Sequence, residues 1–506
     1  MHSYDVIIIG SGLGGLVCGA ILSQHGYRVC IYEKNRQAGG CLQTYSREKV
    51  IFDSGVHYIG GLAPGENLYK VFKYLGIYDK LKLKRMDMDG FDHISFAGDD
   101  KIYKLAQGEE NFIRTLLADF PEEEAALRAY CDKISEVCSK FPLYNLRTGD
   151  YEEKRSVLQL NTASYLRSIT SNEKLQQVLA GNNLLYAGMA EKTPFYVHAL
   201  VLNSYMKSSW KCVDGGSQIG KLLCQRIREN GGNIIRNMAV TAIQGEGDQV
   251  NHIVLQDGTR ARATHYISNL HPAQTMAMTH SDTLRSAYRN RVQQLENSVG
   301  AFVLNVVLKP GTFRYLNYNH YYHAAPDAWA GIDYRVEEWP QTYAMYVSAS
   351  SRHETYADSL SVMTYMRYAE MEPWQHTIHT VQQPEGRGAG YEAFKQQKAN
   401  LLIDCVEKQF PGFRNCIQSY YVATPLSYRD YIGTGDGSMY GIMKDSADPL
   451  RTMISARTKL SNLYLTGQNL NLHGILGVTI SGVITSAELL GMDFLVDEIN
   501  QSINIK

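Results

Sequence analysis

The sequence predicts an α/β fold in two units. One is built on a parallel sheet from discontinuous segments of chain, and the other is an α+β unit with a mixed sheet plus helices. Three observations carry this reading. A strand, a glycine-spaced turn and an apolar helix open the chain. A helix, Gly-Gly, strand and hairpin return near its middle. A strand ending in glycine, followed by a long uncharged helical stretch, closes it. At 506 residues there is room for two or more domains. The expected division gives 1–70, 207–283 and 420–506 to the first unit, and 71–206 and 284–419 to the second.

Asp5 to Ile9 reads DVIII, a β-branched run suited to a fully buried parallel strand. Gly10-Ser11-Gly12-Leu13-Gly14-Gly15 follows and fits G-x-G-x-x-G at Gly10, Gly12 and Gly15. Such a spacing serves a tight turn at Gly10, close approach of a pyrophosphate at Gly12 and close helix–strand packing at Gly15. Leu16 to Leu22 then gives a buried helix whose N-terminus offers free N–H groups to phosphate. A second strand, Arg28 to Tyr32, ends at Glu33. That acid stands about 20 residues on, where a ribose hydroxyl is bound. The plain alternative is a glycine-rich turn with no ligand.

Further along, Glu33-Lys34 leads into Ala38-Gly39-Gly40-Cys41, and Val50 to Gly61 reads as a strand entering a glycine-bounded turn. Leu68 to Leu75 and Asn111 to Phe141 read as helices, the second with an acidic centre at Glu122 to Glu124. Thr162 to Met206 is more apolar, with periodic Leu, Val and Tyr. The helix Lys221 to Glu229 ends at Gly231-Gly232, where a left-handed turn is expected. Strands follow at Asn233 to Arg236, Met238 to Gln244, Gln249 to Leu255 and Ala263 to Asn269. Val303 to Val307 and Tyr343 to Ala349 alternate like strands, and Gln382 to Gly390 is turn-rich. Tyr391 to Phe410 returns to helical spacing. Leu463 to Asn469 is a strand ending in glycine, and Gly474 to Leu490 is a helix.

Composition excludes some classes. Net charge is −1, so nothing suggests nucleic acid. The nine cysteines form no C-x-x-C, which points to free thiols in a reducing compartment, and no metal site is expected. Val6 to Leu22 is uncharged, but its glycines argue against a membrane span. Met1 to Tyr4 runs straight into the first strand, which is read as leaving no room for a signal peptide. The expected location is cytoplasmic, with peripheral membrane contact left open. The 35 tyrosines, against 14 phenylalanines, suit a large pocket for a lipophilic molecule with one polar end. Compositional habit is the other reading.

These motifs, in this order, resemble the phytoene desaturase, carotenoid isomerase and retinol saturase group of FAD flavoproteins. The doublet at Gly39-Gly40 resembles their second glycine signature, although Cys41 stands where an arginine is frequent. G-V-H-Y-x-G at Gly55 to Gly60, and the stretch before His198, tilt the likeness toward retinol saturases and their bacterial relatives. The resemblance implies a two-domain flavoprotein with a Rossmann-type FAD domain and a substrate domain. It implies FAD contacts at Gly10, Gly12, Leu13, Gly14, Gly15, Glu33, Lys34, Gly40 and Cys41. Further contacts are implied at Gly55, Val56, His57, Val240, Gly467, Asn469, Gly477, Val478 and Thr479. The implied chemistry is hydride transfer between a carbon of a lipophilic isoprenoid polyene and the flavin, with a proton moving at the adjacent carbon. His57, Tyr58 and His198 are the candidate proton-handling residues. A saturase, a desaturase or cis–trans isomerase, an amine oxidase-like enzyme and a non-catalytic flavin- or lipid-binding protein all stay open. So does the source of electrons, NAD(P)H or another carrier.

Overall fold

Continuous β-branched runs are buried on both faces when they lie inside a parallel sheet. In the computed structural model, which describes residues 4–150 and 152–503, the run at the start of the chain does so. The signal-peptide expectation rests partly on residues 1–3, outside that range. Tyr4–Ile9 is the middle strand of five, in the order Asn233–Ile235, Val29–Tyr32, Tyr4–Ile9, Ala263–Ser268, Leu463–Leu465. Every neighbouring pair is parallel, with Ile7 opposite Cys30 on one side and Tyr266 on the other. Val6, Ile7 and Ile8 are fully buried. Each such side chain contributes about 1.5–3 kcal/mol relative to exposure. The helix Leu13–Gln24 packs between Ser217–Glu229 and Gly474–Leu490. The last approaches so closely that a Cβ on Gly482 would lie 2.6 Å from Val17 Cγ1. The uncharged stretch Val6 to Leu22 is thus a strand, a turn and a helix. Among the described residues, no helix is long and apolar enough to cross a membrane.

The second large sheet has seven strands, in the order Ile417–Ala423, Gly300–Leu308, Ser359–Met366, Thr342–Val347, Asn319–His323, Asp92–Phe96, Tyr103–Leu105. It is mixed, because Asn319–His323 runs parallel to Asp92–Phe96 while the other pairs are antiparallel. The expected division at residue 420 falls inside its edge strand. Side chains alternate between two cores. Phe302, Leu304 and Val306 face one side, covered by the helix Ala389–Gln409. Ala301, Val303, Tyr321 and Tyr346 face the other, beneath helices that include Glu124–Ser139 and Phe195–Lys207.

One expectation needs correction. Asn111 to Phe141 is not one helix but two, Glu109–Leu117 and Glu124–Ser139. Pro121 in the gap has no N–H to donate and pushes Phe120 out of helical geometry. Val50 to Gly61 is, as expected, a strand that enters a turn. Val50–Asp53 pairs as a hairpin with Thr44–Arg47, while Ile59–Gly60 joins a separate small sheet with Ser209–Cys212 and Leu83–Arg85.

Candidate functional site: one cavity from the parallel sheet to an aromatic chamber

Parallel strands present their carboxyl ends along one edge, and ligands bind outside that edge. Tyr4–Ile9 delivers Gly10 there, Val29–Tyr32 delivers Glu33, and Ala263–Ser268 delivers Asn269. Leu463–Leu465 delivers Gly467. All four line one cavity of about 860 Å³. That lies in the range of small-molecule sites, roughly 300–1,000 Å³.

The turn after the first strand is held by its own hydrogen bonds. Gly10 has φ +90°, a conformation that only glycine adopts at little cost. The Glu33 carboxylate accepts from Ser11 N at 2.9 Å, from Ser11 Oγ at 2.6 Å and from Asn35 N at 2.8 Å. Ser11 O in turn accepts from Gly39 N at 3.0 Å, which ties the first glycine turn to the second. A Cβ on Gly12 would lie 2.5 Å from Asn269 Nδ2, and one on Gly40 would lie 3.1 Å from Gly12 Cα. The glycines therefore leave bare backbone facing the cavity where any side chain would collide.

Two helices point their N-termini into this space. Neither Leu13–Gln24 nor Gly474–Leu490 has a side-chain cap or an acid in its first turn. Leu13, Gly474, Gly477 and Val478 line the cavity. Uncapped helix starts leave backbone N–H groups without partners and carry a positive dipole end. A dinucleotide would supply the missing acceptors, so the residues present fit a dinucleotide cofactor. Lys34, Gly40, Cys41, Gly55, Val56, Val240 and Asn469 also line the cavity.

Beyond this region the walls become aromatic. His57, Tyr58, Tyr205 and Tyr346 line the same cavity, with Leu200 and Met363. The His57 ring lies flat on Tyr346, 4.2 Å between centroids and 3° between planes. Burial, helped by the charge on Lys211, pulls the His57 pKa down to about 4. Its imidazole is therefore neutral near neutral pH and cannot serve there as a cationic acid. Tyr58 stacks on Tyr205 at 4.3 Å and donates its hydroxyl to Asp92 Oδ2 at 3.0 Å.

Not every expected residue reaches the cavity. His198 is fully buried in the helical core, with one ring nitrogen 2.6 Å from Tyr130 Oη and the other 2.8 Å from Tyr186 Oη. Both nitrogens are spent on neighbours, and burial drops its pKa to about 3, so its candidacy as a proton-handling residue is corrected to a structural role. Gly14 and Gly15 face protein. A Cβ on Gly14 would lie 2.9 Å from Gly467 N, and one on Gly15 would strike Gly10 O. Thr479 is buried below the cavity wall. Sequence reasoning passed over Ser11, Asn269, Asp92 and Tyr346. Ser11 carried a local signal as the polar residue between two motif glycines, and Asn269 carried one as the last residue of an expected strand.

The pattern of the NAD(P)-binding Rossmann-like domain matches residues 8–75. The all-trans-retinol 13,14-reductase of Danio rerio is 25% identical over 534 residues, covering 96% of this chain and 86% of the relative. Over nearly its whole length the chain is similar to the retinol saturase and carotenoid isomerase group. The chloroplastic prolycopene isomerase of Daucus carota is also 25% identical, over 96% of this chain and 79% of its own. Among solved structures, an oxidoreductase from Methanosarcina mazei shares the fold, with a TM-score of 0.63 at 16% identity over 94% of this chain and 98% of that one.

Proposed function

We propose that this protein is an FAD-dependent reductase that saturates a carbon–carbon double bond of a lipophilic polyene, as a retinol saturase does. One observation carries the reading. The cavity that begins at the glycine turns and helix N-termini continues, without leaving the same enclosure, into a chamber walled by His57, Tyr58, Tyr205 and Tyr346. Gly10, Gly12, Leu13, Gly40, Gly467, Gly477 and Val478 would hold the diphosphate and the ring system through backbone N–H groups. Gly14 and Gly15 would act by packing, and Thr479 by supporting the helix start. Glu33 would accept a ribose hydroxyl on the carboxylate oxygen that now takes only Asn35 N. FAD supplies hydride chemistry when bound. The chain's own residues do the rest. The aromatic walls orient an extended apolar substrate and exclude water. Tyrosine hydroxyls at the chamber wall are the groups able to donate a proton to carbon, since His57 is neutral there.

Similarity to a prolycopene isomerase supports a second reading, desaturation or isomerisation in the same chamber. Product mass separates the readings. The protein is reduced with dithionite without oxygen and mixed with all-trans-retinol or phytoene. Flavin reoxidised by retinol, with product heavier by two hydrogens, is the expected result. Bleaching of oxidised flavin by phytoene favours the desaturase, and a product of unchanged mass the isomerase. Absence of flavin even after FAD is added overturns both.

A further inference from the structure

A carboxyl lies buried behind the chamber, joined to it by three tyrosine hydroxyls. Tyr58 Oη is 3.0 Å from Asp92 Oδ2 and 2.8 Å from Tyr321 Oη. Tyr321 Oη is 3.5 Å from Tyr346 Oη. Asp92 and Tyr321 are fully buried, whereas Tyr58 and Tyr346 form part of the chamber wall. The sheet register sets this up. Asn319 pairs with Asp92 on one side and with Tyr346 on the other, and Tyr321 lies two residues further on the same face. Tyr58 reaches the cluster from the loop after Gly55-Val56-His57.

We propose that Asp92, Tyr58, Tyr321 and Tyr346 form a proton relay, with Tyr346 giving the final proton to the substrate carbon beside His57. This rests on the reductase reading above. What separates it from a hydrogen-bond cluster that merely fills space is that the hydroxyls run from a fully buried carboxyl to the chamber wall. An apolar interior does not carry a carboxyl without a compensating role or partner. Asn319 and Asn182 do donate to Asp92, at 2.9 and 3.2 Å, yet their own amide oxygens have no hydrogen-bond donor among the described residues. These donors and Tyr58 favour the carboxylate while complete burial favours the neutral acid, so the two protonation states of Asp92 compete. Burial raises the Asp92 pKa to about 7, against the pull of Asn319, Asn182, Tyr58 and the charge on Lys211. Lys211 itself donates to Leu316 O and Val347 O, each at 2.9 Å, and burial lowers its pKa to about 7. Tyr205, stacked on Tyr58, is the remaining titratable neighbour, and burial raises its pKa.

When Asp92 is protonated the Tyr58 hydroxyl, which donates to the carboxylate, turns away, so that the Asp92 O–H points to Tyr58, Tyr58 to Tyr321 and Tyr321 to Tyr346. The Tyr346 O–H is then free to face the chamber. As the π pair of the double bond forms a C–H bond, the Tyr346 O–H breaks and its electrons stay on oxygen. Each hydroxyl proton behind it shifts one place, and Asp92 is left as carboxylate. FAD, when bound and reduced, would supply the hydride for the adjacent carbon, so the product would gain two hydrogens. A solvent proton entering after product release reverses the shifts and restores Asp92.

The test uses full-length flavin-loaded protein, with Asp92→Asn, Tyr58→Phe, Tyr321→Phe and Tyr346→Phe, each checked for flavin content and circular dichroism. Infrared difference spectra of the oxidised protein, wild type minus Asp92→Asn, should show a protonated carboxyl on the acid side of neutrality that disappears on the alkaline side. Tyr58→Phe and Tyr321→Phe should shift that band. A carboxyl band that is absent, or is indifferent to both tyrosines, overturns the relay. In reoxidation by the polyene, Tyr346→Phe should slow the step by about 100-fold, in line with general acids. Asp92→Asn should remove the alkaline limb of the pH profile. Unchanged rates and an unchanged profile overturn the proposal. If no polyene reoxidises the wild-type protein, the reductase reading fails by itself, and the infrared bands still decide whether the relay exists.

Discussion

Replacing Glu33 with alanine tests whether the acid after the second strand is a ligand residue alone or also part of the turn that makes the site. Its carboxylate takes three protein donors, and two of them, Ser11 N and Asn35 N, are backbone groups of buried residues. The alanine variant strands both. Each buried donor left unpaired costs about 1–3 kcal/mol, so the flavin-free protein should lose about 2–6 kcal/mol. That is a large part of a typical total of about 5–15 kcal/mol. Flavin binding should fall as well. One charge-assisted bond to a ribose hydroxyl is worth about 1.5–3 kcal/mol, or roughly 10- to 150-fold in affinity. Glu33→Gln keeps one acceptor oxygen but turns an NH₂ toward a donor, so it should fall between the two. Urea unfolding of flavin-free protein reads the first effect, and quenching of flavin fluorescence on titration reads the second. A purely ligand-binding glutamate predicts unchanged flavin-free stability. Wild-type unfolding together with full flavin occupancy in Glu33→Ala would refute the assignment altogether.

Other outcomes follow from the same structure. Gly14→Ala would put a Cβ 2.7 Å from Asn269 Oδ1 and 2.9 Å from Gly467 N, so it should cost about 1–3 kcal/mol in a melting experiment. Stability should fall as pH drops below about 6.5, because burial lowers the pKa of His57, His320 and His473 to about 4 and of His198 to about 3. Above the ordinary value both states are neutral and the full stability is present. Below it the unfolded chain takes up protons that the folded protein refuses until its own lower pKa is reached. Asp92 acts in the opposite sense, losing stability as pH rises from 3.8 toward 7. Urea midpoints measured against pH, with His198→Phe and Asp92→Asn beside wild type, separate the two contributions. Lys211→Met removes a charge that lowers the pKa of both His57 and Asp92, so both should rise, as followed by NMR for the histidine and infrared for the carboxyl.

The first glycine turn, Glu33 and the closing strand and helix could all be read from the chain because their determinants are local. Glycine spacing and unbroken β-branched runs dictate a buried parallel strand wherever they occur, and such strands share one functional edge. Local pattern failed where a single residue outweighed the periodicity, as Pro121 did between two helices that share an apolar face. It also failed wherever partners come from distant segments. Nothing around His198 announces that Tyr130 and Tyr186 occupy both its nitrogens. Nothing around Asp92 announces that Tyr58, Asn182 and Asn319 converge on it. Periodicity records that a side chain is buried, not which strand lies beside it or in what register. The sequence by itself therefore determined the parallel sheet and its glycine-lined edge. The pairing of the mixed sheet, and with it the polar core behind the aromatic chamber, was decided only when distant strands came into register.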